Sequence, residues 1–414
     1  MFRFNLSLGN SGIFKNTLFE FVLAGLIIII ASFLTILPNL IVLDNDKDGH
    51  PQIVRKSDFI IFYTDARIAV NQPQKIYDAD LQKKSQSEIL GIKEQNSTPY
   101  FYPPQTMLFF APLTFLSLEN AYYTWHALNI LITFLLLIAF YKMGICARPW
   151  TFLIATVLLL TSYTWIAASA NGQPTILMTL GLMAYVLFSR YNHMLIAASA
   201  LIITAFKPQL LAAPAVYVLL LHGRQLWGSV FAVGVGIIAI CMIIFGPTIW
   251  LNYFDTLSSA PALIQKENLF SSMCNVRTLA LLLTHGKYFD IINLLSFCVW
   301  LAGVLIAVGL AYQVLHSSTK AQELGLALVI ILSCFFSPYL FSNGLMLLSI
   351  SLGILLKYSK RWVLIAVTLM LALINEAQTL LPHTMHSFFL IPTQIALSAW
   401  AASALFKLRS FKAT

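Results

Sequence analysis

Two aspartates stand seven residues apart in the long polar segment of this chain, residues 55–104. If residues 57–70 are helical, Asp58 and Asp65 fall on nearly the same face, roughly 10 Å apart along the axis. That separation is too large for two carboxylates that share one proton. It suits two separate tasks, a general base and a positioning group, and desolvation at the rim of an apolar cavity raises the pKa of such a base. The same spacing also fits two ordinary solvated acids of a surface loop.

Two further polar residues lie beside apolar stretches. Lys207 precedes a proline, and a lysine there either contacts a lipid phosphate as a point charge or extends to the interface from a helix break. Gln173 belongs to the segment Asn171-Gly172-Gln173-Pro174, which is built from good turn residues. The sequence therefore leaves two roles open for Gln173, a simple turn or an amide at the mouth of a cavity.

Tyr102, Arg277 and Asn343 complete the candidates. The run Tyr-Phe-Tyr-Pro-Pro at 100–104 cannot end as regular helix, because the residue before a proline favours extended geometry. Tyr102 there fits an aromatic belt at the membrane interface or the wall of a sugar or lipid site. Arg277 is a cation in the second long polar segment. Asn343 stands in SPYLFSNG, where hydrogen bonding between helices is the common role of an amide.

The composition requires a membrane to position these residues. The chain is 59% hydrophobic and 10% charged, against about a quarter charged in average proteins. Apolar runs of about twenty residues recur, which predicts an all-α polytopic membrane protein, a single integral domain over residues 1–414. We predict about 12 crossings (range about 10–13). The candidate crossings are 18–42, 120–141, 150–168, 173–189, 194–206, 209–221, 226–246, 291–315, 323–336, 338–356, 362–381 and 388–406.

The charges predict the orientation. The formal net charge of +9 comes from basic residues scattered over short loops, a pattern typical of membrane topology and not of a nucleic-acid partner. With both termini cytoplasmic, a large first loop at 44–119 and a second at 247–290 fall outside. We expect residues 103–118 to form a re-entrant or interfacial segment within the first loop. The five cysteines stand singly, so we expect no disulfide framework and no metal site from them.

Three blocks follow one another along the chain. The first consists of SDFIIFYTDARIAV, KIYD and YFYPPQTMLFFAPLTFLSLENAYYTWHALN, the second runs from NGQPTILMTLGL to AFKPQLLAAPAVYVLL, and the third is SPYLFSNGLML. Their order and spacing resemble glycosyltransferase family 87, the polyprenyl-phosphate-mannose-dependent mannosyltransferases of the GT-C superfamily. The first block resembles that family's first outer loop, and the second its Gly-Gln turn and its lysine before a proline. The third resembles its Ser-Pro block.

The resemblance implies a GT-C-like bundle and an inverting transferase. It would move a hexose, mannose in the family, from a polyprenyl-phosphate sugar to a glycan or glycolipid acceptor. The reaction would take place at the outer, periplasmic face of the inner (plasma) membrane. The resemblance carries over Asp58 as the general base, Lys207 as the contact to the donor phosphate and Gln173 as the family's turn residue. Family members often carry His or Asp within the Ser-Pro block, where this chain has Tyr339 and Asn343. We predict that the substrate-binding residues are Asp65, Tyr102, Gln173, Lys207, Arg277 and Asn343.

No cofactor is expected for such a reaction. A polyprenyl phosphate leaves with its charge already present, so a lysine or arginine can stabilise it where other transferases use a divalent ion. The turn with Asp44, Asp46 and Asp48 is not placed to act as a metal motif, and we expect metal independence.

Other functions fit parts of the sequence. A transporter or flippase would need paired intramembrane charges and a repeat, and neither is visible. An outer-face ligase, or a GT-C transferase of glucose or arabinose, fits the same residues. A scaffold explains the hydrophobicity but not the ordered loop motifs.

Overall fold

The computed structural model describes residues 57–91, 100–145, 162–266, 273–358 and 386–410, with residues 26, 156, 159 and 160. Within these ranges the regular structure is helical and no β-strand occurs, although one isolated bridge pairs Met273 with Phe341. The predicted all-α class is therefore confirmed. The predicted crossings at 18–42 and 362–381, and most of the first half of 150–168, lie outside the described residues.

The described α-helices are numbered here in chain order. They are α1 (Phe59–Asn71), α2 (Ala79–Leu90), α3 (Met107–Phe110), α4 (Leu118–Lys142), α5 (Tyr163–Ala170), α6 (Thr175–Arg190), α7 (Met194–Ile203), α8 (Pro208–His222), α9 (Arg224–Phe245), α10 (Ile249–Lys266), α11 (Val276–Leu283), α12 (Phe289–Val314), α13 (Thr319–Phe336), α14 (Leu348–Lys357) and α15 (His386–Ser410). Short 3-10 helices cover Pro73–Lys75, Pro104–Thr106, Ala111–Phe115 and Ser342–Leu347.

Among the described helices, α4, α9, α12 and α13 are long and apolar enough to cross a membrane. A hydrocarbon core of about 30 Å needs about 20 helical residues, which these helices supply or nearly supply. Helices α9 and α12 leave large apolar side chains exposed, such as Phe231 of α9 and Leu305 of α12, as is usual for surfaces that face lipid. Helix α13 is mostly enclosed and packs against α8, α12, α14 and α15.

Prolines break the helices where the sequence predicts. Helix α7 ends at Ile203 and α8 begins with Pro208, which fits the first turn because proline lacks the backbone N–H that is unsatisfied there anyway. Helix α13 ends before Ser337-Pro338. The structure differs from the predicted crossing at 338–356, because the chain is extended or 3-10 helical up to Leu347 and only the ten residues of α14 form an α-helix. Ten residues rise only about 15 Å.

The first predicted loop is a compact helical layer. Helix α1 confirms the expected helix at residues 57–70, and α2 folds back against it. Asp78 caps α2 by accepting a hydrogen bond from Leu81 N at 3.0 Å. The segment at 103–118 forms short helical turns, which pack on α1 and on the start of α4. The second predicted loop, 247–290, contains α10 and α11.

Candidate functional site

Asp58 stands at the start of α1 without capping that helix. Its neighbours Ser57 and Phe59 are buried, while Asp58 itself is partly exposed. Its Oδ2 accepts a hydrogen bond from Gln173 Nε2 at 2.5 Å, across 115 residues of chain. The carboxylate is therefore held by a distant turn at the edge of an apolar layer.

Gln173 reaches Asp58 because a glycine precedes it. Gly172 has φ +65°, and a Cβ on it would lie 2.7 Å from Cβ of Phe59. Only glycine allows the turn between α5 and α6 to pass so close to α1. The turn is thus built from turn residues, and it also places a buried amide against Asp58.

Tyr102 orients the Gln173 amide. Its hydroxyl donates to Gln173 Oε1 at 2.7 Å, which leaves Nε2 of the amide directed to Asp58. Tyr102 is held in turn by Tyr77, whose hydroxyl donates to the Tyr102 carbonyl oxygen at 2.8 Å. The Phe62 ring meets the Tyr102 ring edge-on, with centroids 4.8 Å apart. Tyr102 is therefore a positioning residue for the amide that contacts Asp58.

Lys207 brings a cation to the same site. It lies between α7 and α8, and only 8% of its surface is exposed. Its Nζ donates to Asn343 Oδ1 at 2.7 Å and stands 5.7 Å from the centroid of the Tyr102 ring. Within the described part of the chain, Lys207 forms no ion pair with a carboxylate. A buried lysine whose bonded partner is a neutral amide can bind an incoming anion.

Burial and mutual attraction set the charges of Asp58 and Lys207. Burial raises the pKa of the Asp58 carboxyl above its ordinary value, and the Gln173 hydrogen bond and the Lys207 charge oppose that rise. Burial lowers the pKa of Lys207 to about 8, and the Asp58 carboxylate opposes that fall. Near neutral pH the site therefore combines a base with a raised pKa and a cation that is still mostly protonated.

Arg277 is close in the fold to Asn343 but separate from the Asp58 hydrogen bonds. Its guanidinium lies 4.9 Å from the Tyr339 ring centroid, and its Nε donates to Asn293 Oδ1 at 2.6 Å. Its Nη1 donates to the Pro338 carbonyl oxygen at 3.4 Å, while no hydrogen-bond partner of Nη2 occurs among the described residues. Arg277 thus packs on the segment that leads to Asn343.

Asp65 lies apart from the other candidates. It is fully buried in α1, and neither of its carboxylate oxygens has a hydrogen-bond partner in the described ranges. Burial raises its pKa well above the ordinary value, and the nearby Gln82 side chain opposes this. The structure therefore brings together Asp58, Tyr102, Gln173, Lys207 and Asn343, with Arg277 beside them, and encloses Asp65 elsewhere in the loop layer.

Tyr77 is a member of the site to which sequence reasoning assigned no role. It occurs in the Lys-Ile-Tyr-Asp segment of the first block, and its aromatic ring next to an acidic cap residue was the available signal. No group of three or more His, Cys, Asp or Glu side chains that could hold a metal ion is found in the part of the chain that the structure describes. Asp44, Asp46 and Asp48 lie outside that part.

The fold and site define a helical membrane protein with a carboxylate and a lysine joined across its loop layer. Residues 100–338, more than half of the chain, match the family model described as Glycosyltransferase family 87. The chain belongs to glycosyltransferase family 87, a GT-C-type family of membrane glycosyltransferases. It is therefore a membrane glycosyltransferase. The matched region contains Tyr102, Gln173, Lys207 and Arg277. No curated protein and no solved structure matches the chain.

Proposed function

We propose that this membrane glycosyltransferase moves a hexose, mannose by its resemblance to the family, from a polyprenyl-phosphate donor to a hydroxyl of a glycan or glycolipid. The observation that supports the proposal is the joint placement of Asp58 and Lys207. Asp58 is a carboxylate held by Gln173, and Lys207 is a buried cation held by Asn343. Tyr102 lies between them: its hydroxyl donates to Gln173, and its ring centroid is 5.7 Å from Lys207 Nζ.

Asp58 acts as the general base. Gln173 occupies its Oδ2, and no hydrogen bond to Oδ1 occurs among the described residues, so Oδ1 can accept the proton of an acceptor hydroxyl. The hydroxyl oxygen attacks the anomeric carbon as it loses that proton. The bond from the anomeric carbon to the phosphate oxygen breaks, and its electron pair stays with the phosphate. A single displacement of this kind inverts the anomeric configuration.

Lys207 stabilises the phosphate that leaves. Its ammonium group has three N–H donors, and one of them is used on Asn343 Oδ1. The remaining donors can bind phosphate oxygens in a buried position, where a charge interaction is stronger than in water. Arg277 supplies a second positive charge, next to Tyr339 in the segment that leads to Asn343. We assign no substrate contact to Asp65, because both its oxygens are enclosed.

No metal is needed in this scheme, since Lys207 supplies the positive charge that a divalent ion would otherwise bring to the leaving phosphate. We therefore propose that turnover is independent of metal ions. The donor lipid is a co-substrate and not a bound cofactor.

The site faces the outer side of the inner membrane in this proposal. Helix α6 begins beside Gln173 and ends at Arg190, a rise of about 24 Å. Arg190 and Lys357 there both pair with the buried carboxylate of Glu323, at 2.6 and 2.9 Å. Because basic residues favour the cytoplasmic side, the Arg190 end of α6 is cytoplasmic and the Gln173 end lies outside. The same rule keeps both termini in the cytoplasm.

The test is sugar transfer in proteoliposomes. Wild type, Asp58→Asn and the control Asp80→Asn, an exposed acid of α2, receive radiolabelled polyprenyl-phosphate mannose and an envelope extract as acceptor. We expect Asp58→Asn to lose on the order of a hundredfold or more in transfer while it still binds donor, as for loss of a general base. The control should match wild type, and a chelator should leave both unchanged.

Three outcomes contradict parts of the proposal. Equal transfer by Asp58→Asn and wild type removes Asp58 as the base. Loss of sugar transfer when a chelator is added contradicts the proposal that turnover is independent of metal ions. Transfer from polyprenyl-phosphate glucose or arabinose, but not from the mannose donor, corrects the sugar and keeps the mechanism.

A further inference from the structure

A second polar region lies beside the site, in a groove of about 460 Å³ between the start of α2 and helix α10. One wall carries Gln74, Tyr77 and Asp78, and the other carries Asn252, Asp255 and Thr256. Except for Tyr77, none of these residues takes part in the hydrogen bonds described above for Asp58, Tyr102, Gln173, Lys207 and Asn343. The groove is open to the surface, and Gln74, Asp78 and Asp255 are exposed.

The lining suits a ligand rich in hydroxyl groups. Carboxylates accept hydrogen bonds from hydroxyls, and the amides of Gln74 and Asn252 both donate and accept. Tyr77 adds an aromatic ring that packs with the buried Tyr253 of α10, with ring centroids 5.8 Å apart. Polar groups that converge beside an aromatic ring can bind both the hydroxyls and the apolar faces of a sugar.

The charges of the groove disfavour an anionic ligand. Asp78 and Asp255 carry two negative charges, and Lys75 carries the one positive charge among the lining residues. A phosphate in the groove would meet net repulsion, whereas Lys207 in the neighbouring site attracts one. The two regions thus differ in the ligands they favour, with the anionic donor at Lys207 and a neutral molecule in the groove.

The groove is joined to the base through two tyrosines. Tyr77 lines the groove and donates its hydroxyl to the Tyr102 carbonyl oxygen, and the Tyr102 hydroxyl donates to the amide that holds Asp58. A glycan bound in the groove would therefore contact Tyr77, the residue that holds the backbone of Tyr102.

We propose that this groove binds the acceptor as a neutral, hydroxyl-rich glycan and directs its reacting hydroxyl towards Asp58. The inference rests on the proposed function, because it names the acceptor site of the same reaction. The glycan can be carried by a lipid or be part of a soluble polysaccharide, and the chemistry of recognition is the same for both.

The test compares acceptor and donor kinetics in proteoliposomes. The variants are Asn252→Ala and Asp255→Ala, and the control is Ser258→Ala, an exposed residue of α10 that does not line the groove. The acceptors are a lipid extract and a water-soluble polysaccharide fraction of the host envelope, assayed separately. Label from the polyprenyl-phosphate sugar that wild type uses is counted in each.

We expect each groove variant to raise the KM for the acceptor about five- to tenfold, the effect of losing one hydrogen bond, while the KM for the donor and kcat stay unchanged. The fraction that takes up label identifies the carrier of the glycan. An acceptor KM equal to that of wild type in both variants overturns the groove assignment and leaves the proposed function intact. Failure of wild type to bind donor or transfer label from the mannose, glucose and arabinose donors overturns the proposed function, and the groove assignment with it.

Discussion

Replacing Gln173 by leucine removes the amide that donates to Asp58 Oδ2 at 2.5 Å and keeps a side chain of similar size. A hydrogen bond to a charged group is worth about 1.5–3 kcal/mol, and about 1.4 kcal/mol is a factor of ten in an equilibrium constant. Loss of the bond therefore raises the pKa of the Asp58 carboxyl, because the donor favours the ionised form. Because Asp58 is partly exposed and water replaces some of the lost bond, we expect an effect at the lower end of that range, about tenfold in rate where the base is protonated.

The direction in which the pH profile moves follows from the role of Asp58 as a base. The base works only when it is deprotonated, so a higher pKa moves the acid limb of the kcat/KM profile to higher pH. At a pH below the shifted limb the variant loses about tenfold in rate, and above it the rate approaches that of wild type. The measurement is kcat/KM for sugar transfer in proteoliposomes across the acid and neutral range, at constant ionic strength.

Tyr102→Phe is the matched control for this shift. It keeps the aromatic ring and removes the hydroxyl that orients Gln173, so it acts on Asp58 only through that amide. We expect a smaller shift from Tyr102→Phe alone and no additional shift in the double variant, because the two changes act on one coupled contact. An acid limb that stays in place in Gln173→Leu, or moves to lower pH, would refute the assignment of Asp58 as the base held by Gln173.

Two further predictions concern Lys207 and Gly172. Lys207→Met should raise the KM for the donor about tenfold to a hundredfold, the effect of losing a charge-assisted bond. Wild-type kcat/KM should fall above pH 8 as Lys207 loses its proton, whereas in Lys207→Arg that limb should move well beyond pH 8. If the fall of kcat/KM above pH 8 is unchanged in Lys207→Arg, Lys207 is not the group whose loss of a proton causes it. Gly172→Ala should lower the thermal stability by about 1–3 kcal/mol and reduce transfer, because its Cβ meets Phe59. Gly91→Ala, at left-handed φ +66° and ψ 22° with no atom within 4 Å of the added Cβ, should cost only the backbone strain, about 1 kcal/mol. Equal losses of stability in the two variants, measured by thermal unfolding, would contradict the role of the close contact between Gly172 and Phe59 of α1.

The elements of the site could be predicted because their causes are local. The helix at 57–70 follows from its run of apolar residues, and the break before α8 follows from the geometry that Pro208 imposes. The order of three blocks was enough to indicate the family, which the match over residues 100–338 confirms. The local pattern gave a wrong prediction at residues 338–347. The apolar run there is typical of a crossing helix, but the chain is extended or 3-10 helical.

The partners within the site could not be predicted, because they are far apart in the chain. Gln173 and Asp58 are 115 residues apart, and Lys207 and Asn343 are 136 residues apart. Hydrophobic periodicity describes one segment at a time and carries no information on which turn packs against which helix. The turn at Gly172 looked like a simple turn, and only its approach to Phe59 shows why it needs a glycine.

Asp58 and Asp65 show most clearly which features the sequence determines and which the tertiary structure decides. The sequence by itself determined that two carboxylates lie on one helix beside an apolar layer, since the helix follows from local preferences. It did not determine which of them a substrate could reach. The tertiary structure decided that, because α2 and the segment around Tyr100 fold over the middle of α1 and enclose Asp65, while the start of the helix stays partly open at Asp58. Exposure depends on what packs against a residue from elsewhere in the chain, and that is a property of the whole fold.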